Sequence, residues 1–233
     1  MFSRRTVRGV SRSSEDFGVV WRPAQVSGLP LIVVFSAKPS AMGWLASSLA
    51  AGLPAVVAVV DVASAGDAIP SADDAVTSAA RLAASLAADP ARLGVVAEGR
   101  TAAIALQLAA SRSMAGPNGP SRTPVSRLAL IAPTFDDEVW PAGATIPSGF
   151  PPTLLQFARD GGAAAGCAAL AAQLAAAGVA VRATDYQSPR DGWATRSRAV
   201  RQSQRGADDL QAFFARGFGS ASTFHVIPGW DLH

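Results

Sequence analysis

Short, unbroken apolar runs alternate along the chain with longer, alanine-rich stretches. PLIVVFS (30–36), LPAVVAVVD (53–61) and RLGVVAE (92–98) carry no polar residue inside the run, as strands buried on both faces do. SRLALIAP (126–133), TLLQFAR (153–159) and VAVRATDY (179–186) read as further strands, and FGVVWRP (17–23) as an edge strand closed by Pro23. Helices are expected between them. AMGWLASSLAAG (41–52) is stopped by Gly52, and residues 70–90 open with Pro70 and acids in the first turn. Three more helices run from about Thr101 to Arg112, over 161–178 with Gly178 as the stop, and over 194–217. A Gly/Pro/Ser-rich loop fills 113–124, while 134–151 has no period and is expected over the sheet's upper edge.

This βαβ alternation predicts an α/β fold: a mostly parallel, twisted sheet with helices on both faces. The expected organisation is an N-terminal arm (1–16), one domain (17–218) and a C-terminal tail (219–233), with no internal repeat. Ligands of such sheets sit beyond the carboxyl ends of the strands. Those ends are Phe35–Lys38, Asp61, Glu98–Arg100, Asp160 and the loop through Asp191.

Composition narrows the classes. Hydrophobic residues make up 49% of the 233 and charged residues 16%, ample material for a core. Net charge is only +3, and Lys38 is the one lysine, so the basic pI reflects scattered arginines and no nucleic-acid surface is expected. The single Cys167 excludes an internal disulfide and reads as a small buried hydrophobe. The N-terminal arginines are followed by no apolar segment of the signal-peptide kind, and no run approaches the roughly 20 residues of a membrane span. A cytoplasmic location is the resulting expectation.

Four stretches together resemble the hormone-sensitive-lipase-like (acetyl-esterase) family of α/β-hydrolases, over about residues 17–218 and without that family's large cap domain. LPLIVVFSAKPSAMGW is similar to the strand and His-Gly-Gly-Gly-Trp oxyanion loop. VVAVVDVASAGDAIPSADDAV is similar to the next strand, its Pro-containing loop and helix. DPARLGVVAEGRTAAIALQLA is similar to the nucleophile elbow. PPTLLQFARD, LAAAGVAV and RDGWATRSR are similar to the region of the catalytic acid and histidine.

The chemistry of that family needs a nucleophile on a strained turn, a histidine base, an orienting carboxylate and oxyanion donors. The resemblance puts Gly99 at the nucleophile position, Asp191 at the histidine, and Ser36, Ala37 and Lys38 on the oxyanion loop. Only the acid, Asp160, keeps its residue type. The expectation is a catalytically inactive pseudo-hydrolase kept for ligand binding or protein assembly. The alternative is a carboxylic-ester hydrolase with a non-standard nucleophile, for which Ser36 and Ser40 lie near the proper strand end. Glu98, Arg100, Asp160 and Asp191 are expected to form a polar cluster, with no cofactor and no metal. His225 and His233 lie beyond the matched region and read as packing or solvent-facing residues. Arg198, Arg201 and Arg205 share one face of the last helix, which reads as solvated. The apolar tail residues, Phe224 and Trp230 among them, are expected to bury against a protein partner or a second copy.

Overall fold

A computed structural model of the protein describes residues 9–23, 27–61, 68–86, 88–114, 123–135, 144–187 and 201–218. They form an eight-stranded sheet in the order β1-β2-β4-β3-β5-β6-β7-β8. The strands are β1 (Val10–Glu15), β2 (Gly18–Pro23), β3 (Pro30–Phe35), β4 (Val56–Val60), β5 (Asp89–Glu98), β6 (Val125–Ile131), β7 (Thr153–Ala158) and β8 (Val181–Tyr186). β3 to β8 run parallel, and β2 pairs antiparallel with both of its neighbours, β1 and β4. Five helices complete the described chain: α1 (Gly43–Gly52), α2 (Ala68–Ser85), α3 (Thr101–Met114), α4 (Ala164–Ala176) and α5 (Arg201–Gly217).

The two faces of the sheet bury separate cores, as period-2 alternation requires. Leu31, Val33 and Phe35 of β3 face the side covered by α2, α3 and α4. Ile32 and Val34 face the side covered by α1 and α5. Every residue of β3 and β4 is buried, which explains their unbroken apolar runs. Within β5, Gly94 is required for packing: a Cβ there would stand 2.5 Å from Cε1 of the fully buried Phe214 in α5.

Three local expectations change. The strand over 17–23 is not an edge, because residues 10–15 of the arm pair with it as β1. β1 is mostly exposed, so its serines and Arg12 give no apolar alternation to read. α2 ends at Ser85, not Pro90, and β5 begins at Asp89, whose N–H donates to the Leu29 carbonyl at 2.7 Å. The described part of 144–151 does not lie over the upper edge. Phe150 joins the core under α3, and the Ala144 carbonyl accepts from Gln173 of α4 at 2.6 Å. β6 and β7 are parallel, so the chain between them must travel back down the sheet.

Candidate functional site

The parallel register brings two distant pieces of sequence together at the carboxyl edge. Phe35 of β3 lies opposite Ala97 of β5, so the next residues along each chain, Ser36 and Glu98, meet. Ser36 is fully buried and its Oγ donates to Glu98 Oε2 across a long 3.5 Å. The same Oγ accepts the Lys38 backbone N–H at 3.1 Å. Burial raises the Glu98 carboxyl to about 7, against the opposing pull of the Ser36 hydrogen bond and the Lys38 charge. Thr101 Oγ1 sits between the Phe35 and Glu98 carbonyls, at 3.0 and 2.9 Å, and shares its one proton between them.

Gly99 follows Glu98 at the tip of β5, with φ +60°. That left-handed conformation is open to glycine without strain. Both backbone groups of the turn are held. Its N–H donates to the Ile131 carbonyl at 2.9 Å, and its own carbonyl accepts from Ala102 and Thr134 at 3.2 and 3.1 Å. A Cβ at Gly99 would meet no heavy atom within 4 Å. The backbone is therefore that of a strand-to-helix elbow, with open space where a side chain would project.

The other positions fall differently. Ala37 and Lys38 are exposed, ahead of a one-turn 3-10 helix, Pro39–Met42. Arg100 is exposed and pairs with neither Glu98 nor Asp160. Asp160 is exposed just past β7, two strands from β5 and so about 10 Å or more from Gly99. Its neighbour Arg159 pairs with Asp185 at 2.6 Å. Asp191, Arg198, Phe224, His225, Trp230 and His233 lie outside the described residues. Arg201 and Arg205 are exposed on α5, and Cys167 is buried on α4.

Ser36 cannot meet a substrate as it stands, because it is sealed from solvent with its hydroxyl engaged on both sides. Ser40 is exposed, but no histidine lies among the described residues. The Lys38 N–H, which the resemblance sets on a glycine of the oxyanion loop, donates to Ser36 Oγ at 3.1 Å. Sequence reasoning missed this Ser36–Glu98–Lys38 contact. The signal was present only as two residues at adjacent strand ends, which become neighbours once β3 is placed beside β5.

A cleft of about 490 Å³ opens at the β1–β2 turn beside the end of β4, with Glu15, Asp16, Asp61 and Asp74 among its lining. Among the described residues no group of three or more His, Cys, Asp or Glu is arranged to hold a metal ion. No described helix is long and apolar enough to cross a membrane.

No family model matches the chain, and no curated protein sequence matches it. Solved structures do. An esterase from Pseudomonas putida superposes with a TM-score of 0.74 at 18% identity, over 91% of this chain and 84% of that one. Carboxyl esterase 2 from the fungus Tuber melanosporum gives 0.75 at 14% identity, over 94% and 90%. Esterase LipW from Mycobacterium marinum gives 0.71 at 19% identity, over 90% and 82%. The architecture is the α/β-hydrolase fold, with a mostly parallel sheet of eight strands and helices on both sides.

Proposed function

We propose that the protein is a non-catalytic α/β-hydrolase-fold protein that binds a small ligand at the turn around Gly99. The observation that carries this reading is Gly99 itself: the elbow backbone is kept and pinned, and no nucleophilic atom projects from it. The occupied Lys38 N–H adds to it, because acyl transfer depends on free donors facing the developing oxyanion. Asp191 in place of the histidine removes the base that the resemblance would supply. An assembly role for the tail (219–233) belongs to the same reading. Deleting residues 220–233 would then change the mass measured by light scattering.

The test is direct. Purified protein should leave p-nitrophenyl butyrate at the background rate and take up no serine-directed fluorophosphonate. Stoichiometric labelling of any serine overturns the reading.

One observation favours a second reading, a carboxylic-ester hydrolase with a non-standard nucleophile. The similar structures named above are all esterases and cover nine-tenths of the chain or more. Under that reading the same probe labels a serine, and peptide mapping of the adduct identifies it.

A further inference from the structure

We propose that the outer edge of β1 pairs with β1 of a second copy, antiparallel about a two-fold axis at Ser13, so that one sheet runs through two chains. Among the described residues β1 closes one side of the sheet and has β2 as its only neighbour. Val10 lies opposite Pro23, which has no N–H to give, and Glu15 and Gly18 close the two-residue turn. Bonded pairs alternate along an antiparallel ladder. Ser11, Ser13 and Glu15 therefore turn their main-chain groups to β2, while Val10, Arg12 and Ser14 turn theirs outward. Nothing in β1 blocks that edge. It holds no proline, its register with β2 is unbroken by a bulge, and Ser11 to Ser14 are exposed. Arg12, the charge in mid-strand, is drawn over the Trp21 ring of β2 at 5.7 Å.

Charge selects the occupant and the register. A two-fold axis normal to the sheet keeps each face on its own side, so a residue pairs only with one of its own parity. Centring on Arg12 would set two guanidiniums opposite each other. Centring on Ser13 sets Arg12 against Ser14, and Ser11 against Glu15 of the second copy. Arg22 is exposed and lies opposite Ser11 on β2. Glu15 of the second copy then falls two strand spacings away, about 10 Å, with only a serine between. The same polarity runs along the whole edge. Arg4, Arg5 and Arg8 precede the strand in sequence, while Glu15 and Asp16 end it beside Asp61 and Asp74. Antiparallel pairing lays the basic end of each copy on the acidic end of the other. β8, on the opposite side of the sheet, offers no such match, because Arg182 and Asp185 are already paired with Asp209 and Arg159.

The test is the mass of the intact chain by light scattering, with cysteine cross-linking to fix the register. The edge is short, so dimers should form with a dissociation constant of about 10–100 µM in about 50 mM salt. Ser13→Cys should give a disulfide-linked dimer in a glutathione redox buffer, because directly opposed, non-bonded residues bring their Cα atoms to about 4.5 Å. Ser14→Cys should not, since its two copies stand more than about 7 Å apart, and Cys167 is buried and does not compete. The double variants R12E/R22E and E15R/D16R should each self-associate about tenfold more weakly, while the two mixed together should pair at least as well as the wild type. A misfolded variant would give no such rescue. A wild-type chain that stays monomeric to about 500 µM overturns the proposal. So do equal cross-linking at positions 13 and 14, a mixture no heavier than its parts, or a mass that grows past two copies, as open β1–β8 pairing would give. None of these readouts involves turnover or the tail, so their failure leaves the non-catalytic reading where it stands.

Discussion

The buried Ser36 hydroxyl meets the Glu98 carboxylate at 3.5 Å and joins the carboxyl end of β3 to that of β5. A carboxylate taken out of water is costly unless it is well paired. One long hydrogen bond and the charge of an exposed lysine offset only part of that cost, which is why burial wins and the carboxyl is pushed up to about 7. The contact thus ties two strand ends together through a group that changes charge near neutral pH.

Stability should therefore fall as pH rises between about 4.5 and 7. Glu98 has a folded value above the unfolded 4.5, so in this window the folded chain holds a proton that the unfolded chain has released. The contribution is complete below 4.5 and lost above 7, and amounts to about 3 kcal/mol at most. Urea midpoints at pH 5 and pH 8 measure it. Glu98→Gln should flatten this part of the profile, and Ser36→Ala should move it to higher pH by removing the hydrogen bond that favours the charged form. Parallel profiles for the wild type and Glu98→Gln would show that Glu98 is not penalised by burial.

Gly99→Ser should fold. The space is open, and the penalty for a side chain at φ +60° is about 1–2 kcal/mol. Combined with Asp191→His it would supply the serine and histidine that the resemblance expects, yet turnover should stay close to background. The Lys38 N–H is bonded to Ser36 Oγ, and loss of one oxyanion donor costs about 10²–10³ in rate. Stopped assays with p-nitrophenyl acetate give the answer, and brisk turnover by the double variant would mean that the altered loop still supplies its donors.

Gly94→Ala should destabilise the chain by about 1–3 kcal/mol, because the new methyl overlaps Phe214 at 2.5–2.9 Å and presses on Phe218 at 3.0 Å. Adding Phe214→Leu should recover part of the loss. Thermal melts of the single and double variants report it, and additive losses would contradict a direct clash.

Asp73→Ala should cost about 3 kcal/mol. It strips the carboxylate from Arg112, whose side chain is only 2% exposed and contacts Asp73 at 2.8 Å. Chemical denaturation with and without 0.5 M NaCl measures this, and the cost should survive the salt because the pair is shielded from solvent.

The central strands were legible because burial on both faces leaves no room for polar residues. β3, β4 and the apolar part of β5 stand where their runs predict. β1 was not legible, since a strand exposed on most positions needs only its partner β2 and leaves no periodic trace. Gly99 could be read from sequence, because a local strand–turn–helix pattern marks its place. Its neighbour's role could not. Glu98 and Ser36 are 62 residues apart and become partners only through the β3–β5 register. The same register explains why Glu98 turns toward Ser36 and Lys38, while Asp160, beyond β7, stands on the far side of β6.

The turn at Gly99 is fastened to Ile131, Ala102 and Thr134 by main-chain groups alone. No fastening depends on what side chain, if any, occupies position 99. A side chain at this point carries the strain of a positive φ but breaks none of these bonds. A substitution at position 99 can thus change what the turn presents for about 1–2 kcal/mol of backbone strain, while every bond that holds its shape stays intact.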